Sequence, residues 1–236
     1  MALKAFVLSR EALVQSSVIP EQTAGQALYI KFQDRNDLAT LLELAENSGV
    51  YRERGGENSV ENDPSVQQLI VYGYVQLADG KFMLYQRGHE RYDESRLAGR
   101  VSLGVGGHME PTDLSLFDAF YREIDEETVL SINGQVLDFK KPDDTTDIAL
   151  MRQYVTIEPK GLIKDERDPV GELHLGIACK IIPQVGVDLA IRTVSGESLS
   201  SLYVDINQYD TLVQSGEIVP EGWTNIVVDN ELRHSA

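Results

Sequence analysis

The chain has 236 residues, 42% hydrophobic and 25% charged, an ordinary globular composition that excludes a collagen-like, disordered or disulfide-scaffold chain. Its length exceeds the roughly 150 residues of a typical domain by enough for one enlarged domain or two small ones. Twenty-one Lys and Arg against 38 Asp and Glu leave a net charge of −17. That charge repels a nucleic-acid polymer or an anionic membrane, so a small anion would need a bridging cation. The single cysteine, Cys179, excludes an internal disulfide and a Cys-based zinc site. Arg10 and Glu11 interrupt the apolar run at 5–8 too early for a signal sequence, and no segment approaches the length of a membrane span. A cytoplasmic protein without membrane partners is expected.

In chain order, short apolar runs at 4–8 and 27–32 predict strands. Leu38, Leu41, Leu42 and Ala45 recur at helical spacing, which predicts a helix over 36–47 with Asn36 as N-cap and Gly49 just past its end. The charged, Gly- and Asn-rich stretch 51–64 reads as a linker, so 1–65 is expected to be an N-terminal extension of strands plus one helix, and 66–236 the main domain. Apolar runs at 69–77 and 81–87 around Ala78-Asp79-Gly80 predict an antiparallel pair. A polar stretch over 88–100 leads to a short strand at 101–105. A helix is expected over 112–127, because Leu116, Phe117, Phe120 and Ile124 share one face. Strands resume at Val129, with core strands at 148–157 and 173–182, and helices at 206–213 and 223–232 close the chain. Strands interleaved with helices imply an α/β sandwich with a mixed sheet.

The chemistry concentrates at the end of the helix over 112–127. At roughly 100° per residue, Glu123, Glu126 and Glu127 fall within an arc of roughly 100°. Glu123 and Glu127 form an i, i+4 like-charge pair, and three acidic residues in the last turn oppose the helix dipole. A cation would relieve both penalties, and an oxygen-only donor set selects Mg²⁺ or Mn²⁺ over zinc. The bland alternative is a solvated helix end in which Asp118–Arg122 and Arg122–Glu126 are surface ion pairs. Upstream, Gly104-Val105-Gly106-Gly107-His108 is a Gly-rich turn that allows backbone to approach a ligand.

Turn and helix together resemble the Nudix box, G-x5-E-x7-R-E-U-x-E-E-x-G-U, through Gly107, Arg122, Glu123, Ile124, Glu126, Glu127 and Leu130. Asp113 stands where the first Glu is expected, with eight rather than seven residues before Arg122, and Val129 replaces the late Gly. Segments at 61–72, 104–108 and 172–176 extend the resemblance to the MutT-like phosphoesterase branch. The resemblance implies a Nudix-type α/β/α sandwich and a divalent-metal-dependent hydrolase that cleaves a phosphoanhydride bond in a nucleoside diphosphate linked to another group. It assigns the metal to Glu123, Glu126 and Glu127 with a carbonyl of Gly106 or Gly107, and gives Arg122 the task of orienting Glu123. The general base lies outside the box, with Glu158, Asp165, Glu166 and Glu172 as candidates and Glu172 preferred.

Gly106, Gly107, His108 and Arg87 are candidates to touch substrate phosphate; a turn histidine and a surface arginine are the plain alternatives. His174, between Leu173 and Leu175, reads as a core or sheet-face histidine rather than a catalytic one. The competing function is a Nudix-like nucleotide sensor or interaction module that binds without cleaving. The isoprenoid-diphosphate isomerases of the superfamily use a cysteine that Cys179 does not match in position. A homodimer is expected from family habit.

Overall fold

The computed structural model describes residues 3–56, 59–87, 99–167, 169–192, 198–199 and 201–233. The polar stretch expected over 88–100 lies outside them except for its last two residues. The elements begin with β1 (Lys4–Ser9), α1 (Arg10–Gln15), β2 (Ala27–Lys31), α2 (Arg35–Ser48) and β3 (Val50–Glu53). A 3-10 turn (Val60–Asn62) leads to β4 (Val66–Val75), β5 (Phe82–Gln86), β6 (Val101–Ser102) and β7 (Gly104–Val105). Then come α3 (Leu116–Glu127), β8 (Thr128–Ile132), β9 (Gln135–Val136), α4 (Ile148–Met151) and β10 (Val155–Asp165). The chain continues with α5 (Pro169–Leu173), β11 (His174–Pro183), β12 (Val187–Arg192), β13 (Ser198–Leu199) and β14 (Leu202–Val204). It closes with α6 (Ile206–Ser215), α7 (Gly222–Val227) and a π-helical turn (Val228–Leu232). The fold is mixed α/β, and among the described residues no helix is long and apolar enough to cross a membrane.

The chain forms two compact units. The first comprises Met1–Tyr72, Gly107–Ala119 and Pro159–Cys179. Its strands follow the order β2-β10-β11-β4-β1-β3. β1 pairs antiparallel with β3 (Ala5 opposite Arg52) and with β4 (Leu8 opposite Gln67), and β10 pairs with β2 (Leu162 opposite Ile30). Ala5, Val7 and Val60 are buried together, with Val66 against them. The stretch 51–64 is therefore not a linker: Tyr51 to Glu53 belong to a strand, and Val60 is a core residue. α2 is capped by Asp34, two residues earlier than expected, through its carboxylate on the Asn36 N–H at 2.6 Å. Gly49 ends α2 at φ −71°, so glycine is needed there for space: a Cβ would collide with the Phe6 ring.

The second unit comprises Gly73–Gly106, Phe120–Glu158 and Lys180–Ala236. Its core gathers Val75, Met83, Val105, Ile124, Leu130, Met151, Val155, Ile181 and Leu189. β8 and β12 pair antiparallel, with Leu130 opposite Leu189, and β8 turns into β9 through Asn133 (φ 51°) and Gly134 (φ 77°), the left-handed pair that a two-residue hairpin requires. The turn at Ala78-Asp79-Gly80 forms as expected, closed by Leu77 N–H on Lys81 O at 2.7 Å. Among the described residues the flanking strands bridge at Gln76 and Phe82, after which β5 turns to β14 and β6. The strand expected over 101–105 is split at Leu103, whose N–H donates to Thr224 Oγ1 at 3.1 Å. The stretch 148–157 begins as the helix α4, capped by Asp147 on the Leu150 N–H, and becomes strand only from Val155.

Candidate functional site

α3 starts at Leu116, later than the spacing suggested, because Ser115 caps it: its Oγ accepts the Asp118 N–H at 3.1 Å. Asp113 lies before the helix and closes a turn, its carboxylate accepting the Glu110 N–H at 2.7 Å. In the second unit, Phe120, Tyr121 and Ile124 anchor the rest of α3 in apolar surroundings, at 1%, 6% and 0% exposure. That anchoring fixes the carboxylates. Relative to Ile124, Glu127 and Glu123 flank the apolar stripe, roughly 60° and 100° away on the same side, while Glu126 lies about 160° away and reaches solvent. Glu123 and Glu127 are accordingly buried, and the Glu126 side chain is 46% exposed.

Arg122 Nη1 donates to Glu123 Oε1 at 2.8 Å and to Glu126 Oε2 at 3.3 Å. The backbone N–H of Gly106 donates to Glu127 Oε2 at 2.8 Å. Gly106 holds φ 146°, a conformation that disfavours a side chain, so the turn depends on glycine for this approach. Burial pushes the Glu123 carboxyl up to about 7; the Arg122 guanidinium works against this, and the neighbouring Glu127 and Glu126 charges add to it. Two buried carboxylates and a third at the solvent edge are thus held side by side by one guanidinium and one backbone N–H. This is a donor set of oxygens alone, with charge still to be compensated, and it suits a hard divalent cation such as Mg²⁺ or Mn²⁺. The fourth acidic residue of the turn, Asp125, serves the fold: it is buried and bonded to Thr146 Oγ1 at 2.8 Å and Lys140 Nζ at 3.1 Å.

The other sequence candidates divide between the two units. In the second, Arg87 Nε donates to Glu221 Oε2 at 2.8 Å, and Glu221 Oε1 also accepts from Ser102 Oγ. In the first, the Gly107 carbonyl accepts the Val71 N–H at 3.0 Å, and Glu172 lies in α5 with an exposed side chain. The Glu172 backbone carbonyl accepts from the buried Lys164 at 2.8 Å. Two of the alternative bases are tied in ion pairs: Asp165 to Arg167 at 2.7 Å, and Glu166 to Arg10 at 2.5 Å and Lys164 at 3.2 Å. Glu158 is exposed. Cys179 is fully buried, and burial pushes its thiol well up, which leaves it inert.

The sequence reading did not join His108 to His174 and Glu61. The two rings meet edge to face with centroids 5.4 Å apart, and an oxygen of Glu61 lies within 4.8 Å of a ring nitrogen of each. Arg54 bridges the group, with Nε on Glu61 Oε1 at 2.9 Å and Nη1 on His108 Nδ1 at 3.2 Å. Burial, with the Arg54 and His174 charges, lowers the His108 imidazole to about 2, so it is neutral. Burial raises the Glu61 carboxyl, but hydrogen bonding and charge from Arg54 outweigh it and hold it below the usual range. The three residues come from a 3-10 turn, the residue after a Gly-Gly turn, and the first residue of β11. No periodicity or local motif links positions so far apart in the chain.

No family model matches the chain. It is 27% identical to Protein YmaB of Bacillus subtilis over 189 residues, which cover 79% of this chain and 81% of that one. Its structure is similar to the crystal structure of Tm1382, described as a candidate Nudix hydrolase, with a TM-score of 0.64 at 19% identity, over 98% of this chain and 100% of that one. The fold is that of the Nudix hydrolases.

Proposed function

We propose that the protein is a divalent-metal-dependent hydrolase that cleaves a phosphoanhydride bond in a nucleoside diphosphate linked to another group. The observation that carries this reading is the acidic end of α3, where Glu123 and Glu127 are buried side by side although burial disfavours the charge of Glu123. Buried polar groups that cost stability are retained where they act. Glu123, Glu126 and Glu127 would hold Mg²⁺ or Mn²⁺. Such an ion neutralises diphosphate charge and makes a bound water more acidic.

The chain's own residues do the rest. Arg122 fixes the Glu123 carboxylate and keeps it ionisable near neutral pH, and the Gly106 N–H fixes the Glu127 carboxylate. The net charge of −17 favours substrate binding through that cation and repels polyanionic partners overall. The general base is proposed to come from outside α3, with Glu172 the preferred residue, and residues 1–65 are proposed to act as an extension of the catalytic domain.

The test is release of phosphate or a nucleoside monophosphate from a panel of dinucleotides, nucleotide sugars and nucleoside triphosphates with Mg²⁺. Turnover that disappears with EDTA and falls by about 100-fold or more in Glu127→Gln supports the reading. Equal behaviour of wild type and Glu127→Gln across the panel contradicts it.

A further inference from the structure

We infer that Glu61, His108 and His174 form a second metal site in the first unit, for an imidazole-preferring divalent cation of the zinc or cobalt type. It differs in chemistry from the oxygen-only set on α3 and stands whether or not that set holds magnesium. Two imidazoles and one carboxylate, with room for a solvent ligand, are a recurrent donor set for Zn²⁺ and its neighbours, whereas Mg²⁺ favours oxygen.

The hydrogen bonds around the cluster already orient it. The Val170 carbonyl can only accept, so at 2.6 Å it holds a proton on His174 Nδ1, which makes Nε2 the nitrogen that would give up its proton to an entering ion. That is the arrangement by which a backbone carbonyl orients a metal-binding histidine. Gln68 Oε1, 3.0 Å from His108 Nε2, accepts the proton there. Arg54 can only donate, so His108 Nδ1 presents a lone pair to it at 3.2 Å. The imidazole lone pair and the Glu61 carboxylate therefore both face a cation, and the Arg54 guanidinium fills that part. The donor atoms of all three residues lie within 4.8 Å of one another, close enough for one ion to collect them with small side-chain adjustments.

Arg54 must then leave as the ion enters. It is followed by Gly55 and Gly56, both at positive φ (116° and 77°) with open space around them, so the backbone beside it can turn the guanidinium outward. The Glu61 side chain, 38% exposed, gives the ion a route from solvent, while His174 is buried and sets the floor of the site.

Titration with Co²⁺ in excess Mg²⁺ tests this, read by the visible absorption of a nitrogen-ligated, low-coordinate cobalt ion and by metal analysis after gel filtration. The expected result is one Co²⁺ per chain, displaced by Zn²⁺. Affinity should fall about 100-fold in His174→Ala and Glu61→Gln, stay unchanged in Glu127→Gln, and rise about fivefold in Arg54→Met, which has no ion pair to break. Circular dichroism of the metal-free variants checks folding, and Glu61→Gln decides if His174→Ala does not fold. Absence of the visible bands, bands that survive Glu61→Gln, or bands lost in Glu127→Gln would each overturn the site.

Discussion

Replacing Glu123 by Gln should make the metal-free protein more stable above neutral pH. Its carboxyl, ordinarily near 4.5, is raised to about 7 in the folded chain. Between those values the folded state holds a proton that the unfolded chain releases, so stability falls as pH rises through the window. The slope is about 1.4 kcal/mol per pH unit, which sums to about 3 kcal/mol by pH 8. Glu123 is only 9% exposed, so solvent relieves little of this. Gln cannot ionise and keeps an acceptor for Arg122, so Glu123→Gln should be more stable than wild type by about 1 to 3 kcal/mol at pH 8 in EDTA, and nearly equal at about pH 4.5. Saturating Mg²⁺ should remove or reverse that advantage, because an ion at about 100 times its Kd adds about 2.7 kcal/mol to the form that binds it. Urea unfolding at both pH values, with EDTA and with Mg²⁺, reads all four terms. A variant less stable than wild type at pH 8 without metal, or a difference independent of pH, would refute the account of a strained carboxylate.

Arg122→Met should move the acidic limb of the Mg²⁺-dependent pH–rate profile to higher pH, because the guanidinium that lowers the Glu123 carboxyl is gone; an unmoved limb would remove Arg122 from that task. Gly106→Ala should destabilise by about 1 to 3 kcal/mol, through strain at φ 146° and a shift of the backbone N–H aimed at Glu127, as read by urea denaturation. Lys164→Met should cost about 3 to 5 kcal/mol in the same assay. Its ammonium is fully buried and bonds Gln67 Oε1, the carbonyls of Gly171 and Glu172, and Glu166, all left without that donor.

What the sequence made legible follows from how local each signal is. The face of α3 could be read because helical periodicity is set within a few residues, and Ile124 and Phe120 are buried as their spacing required. The burial of Glu123 and Glu127, with Glu126 exposed, follows from the same angular arithmetic. The stretch 51–64 was misread because polar composition hides a short edge strand, β3, whose pairing with β1 is a tertiary fact. The stretch 148–157 was misread because an apolar run does not separate helix from strand, and the Asp147 cap was the overlooked signal. Asn133-Gly134 announced the β8–β9 hairpin and was also passed over. Gly49 stands just past the end of α2 as expected, and the Phe6 ring is what demands a glycine there. The Glu61, His108 and His174 cluster was illegible, because only the tertiary fold brings its three segments together.

The most direct measurement of the central claim is a crystal structure grown with Mn²⁺ and a non-hydrolysable dinucleotide analogue, with anomalous scattering used to locate the ion. An anomalous peak about 2.2 Å from carboxylate oxygens of α3, shared with the analogue's phosphates, is the predicted result. Ordered Glu123, Glu126 and Glu127 with no peak at their oxygens would contradict it.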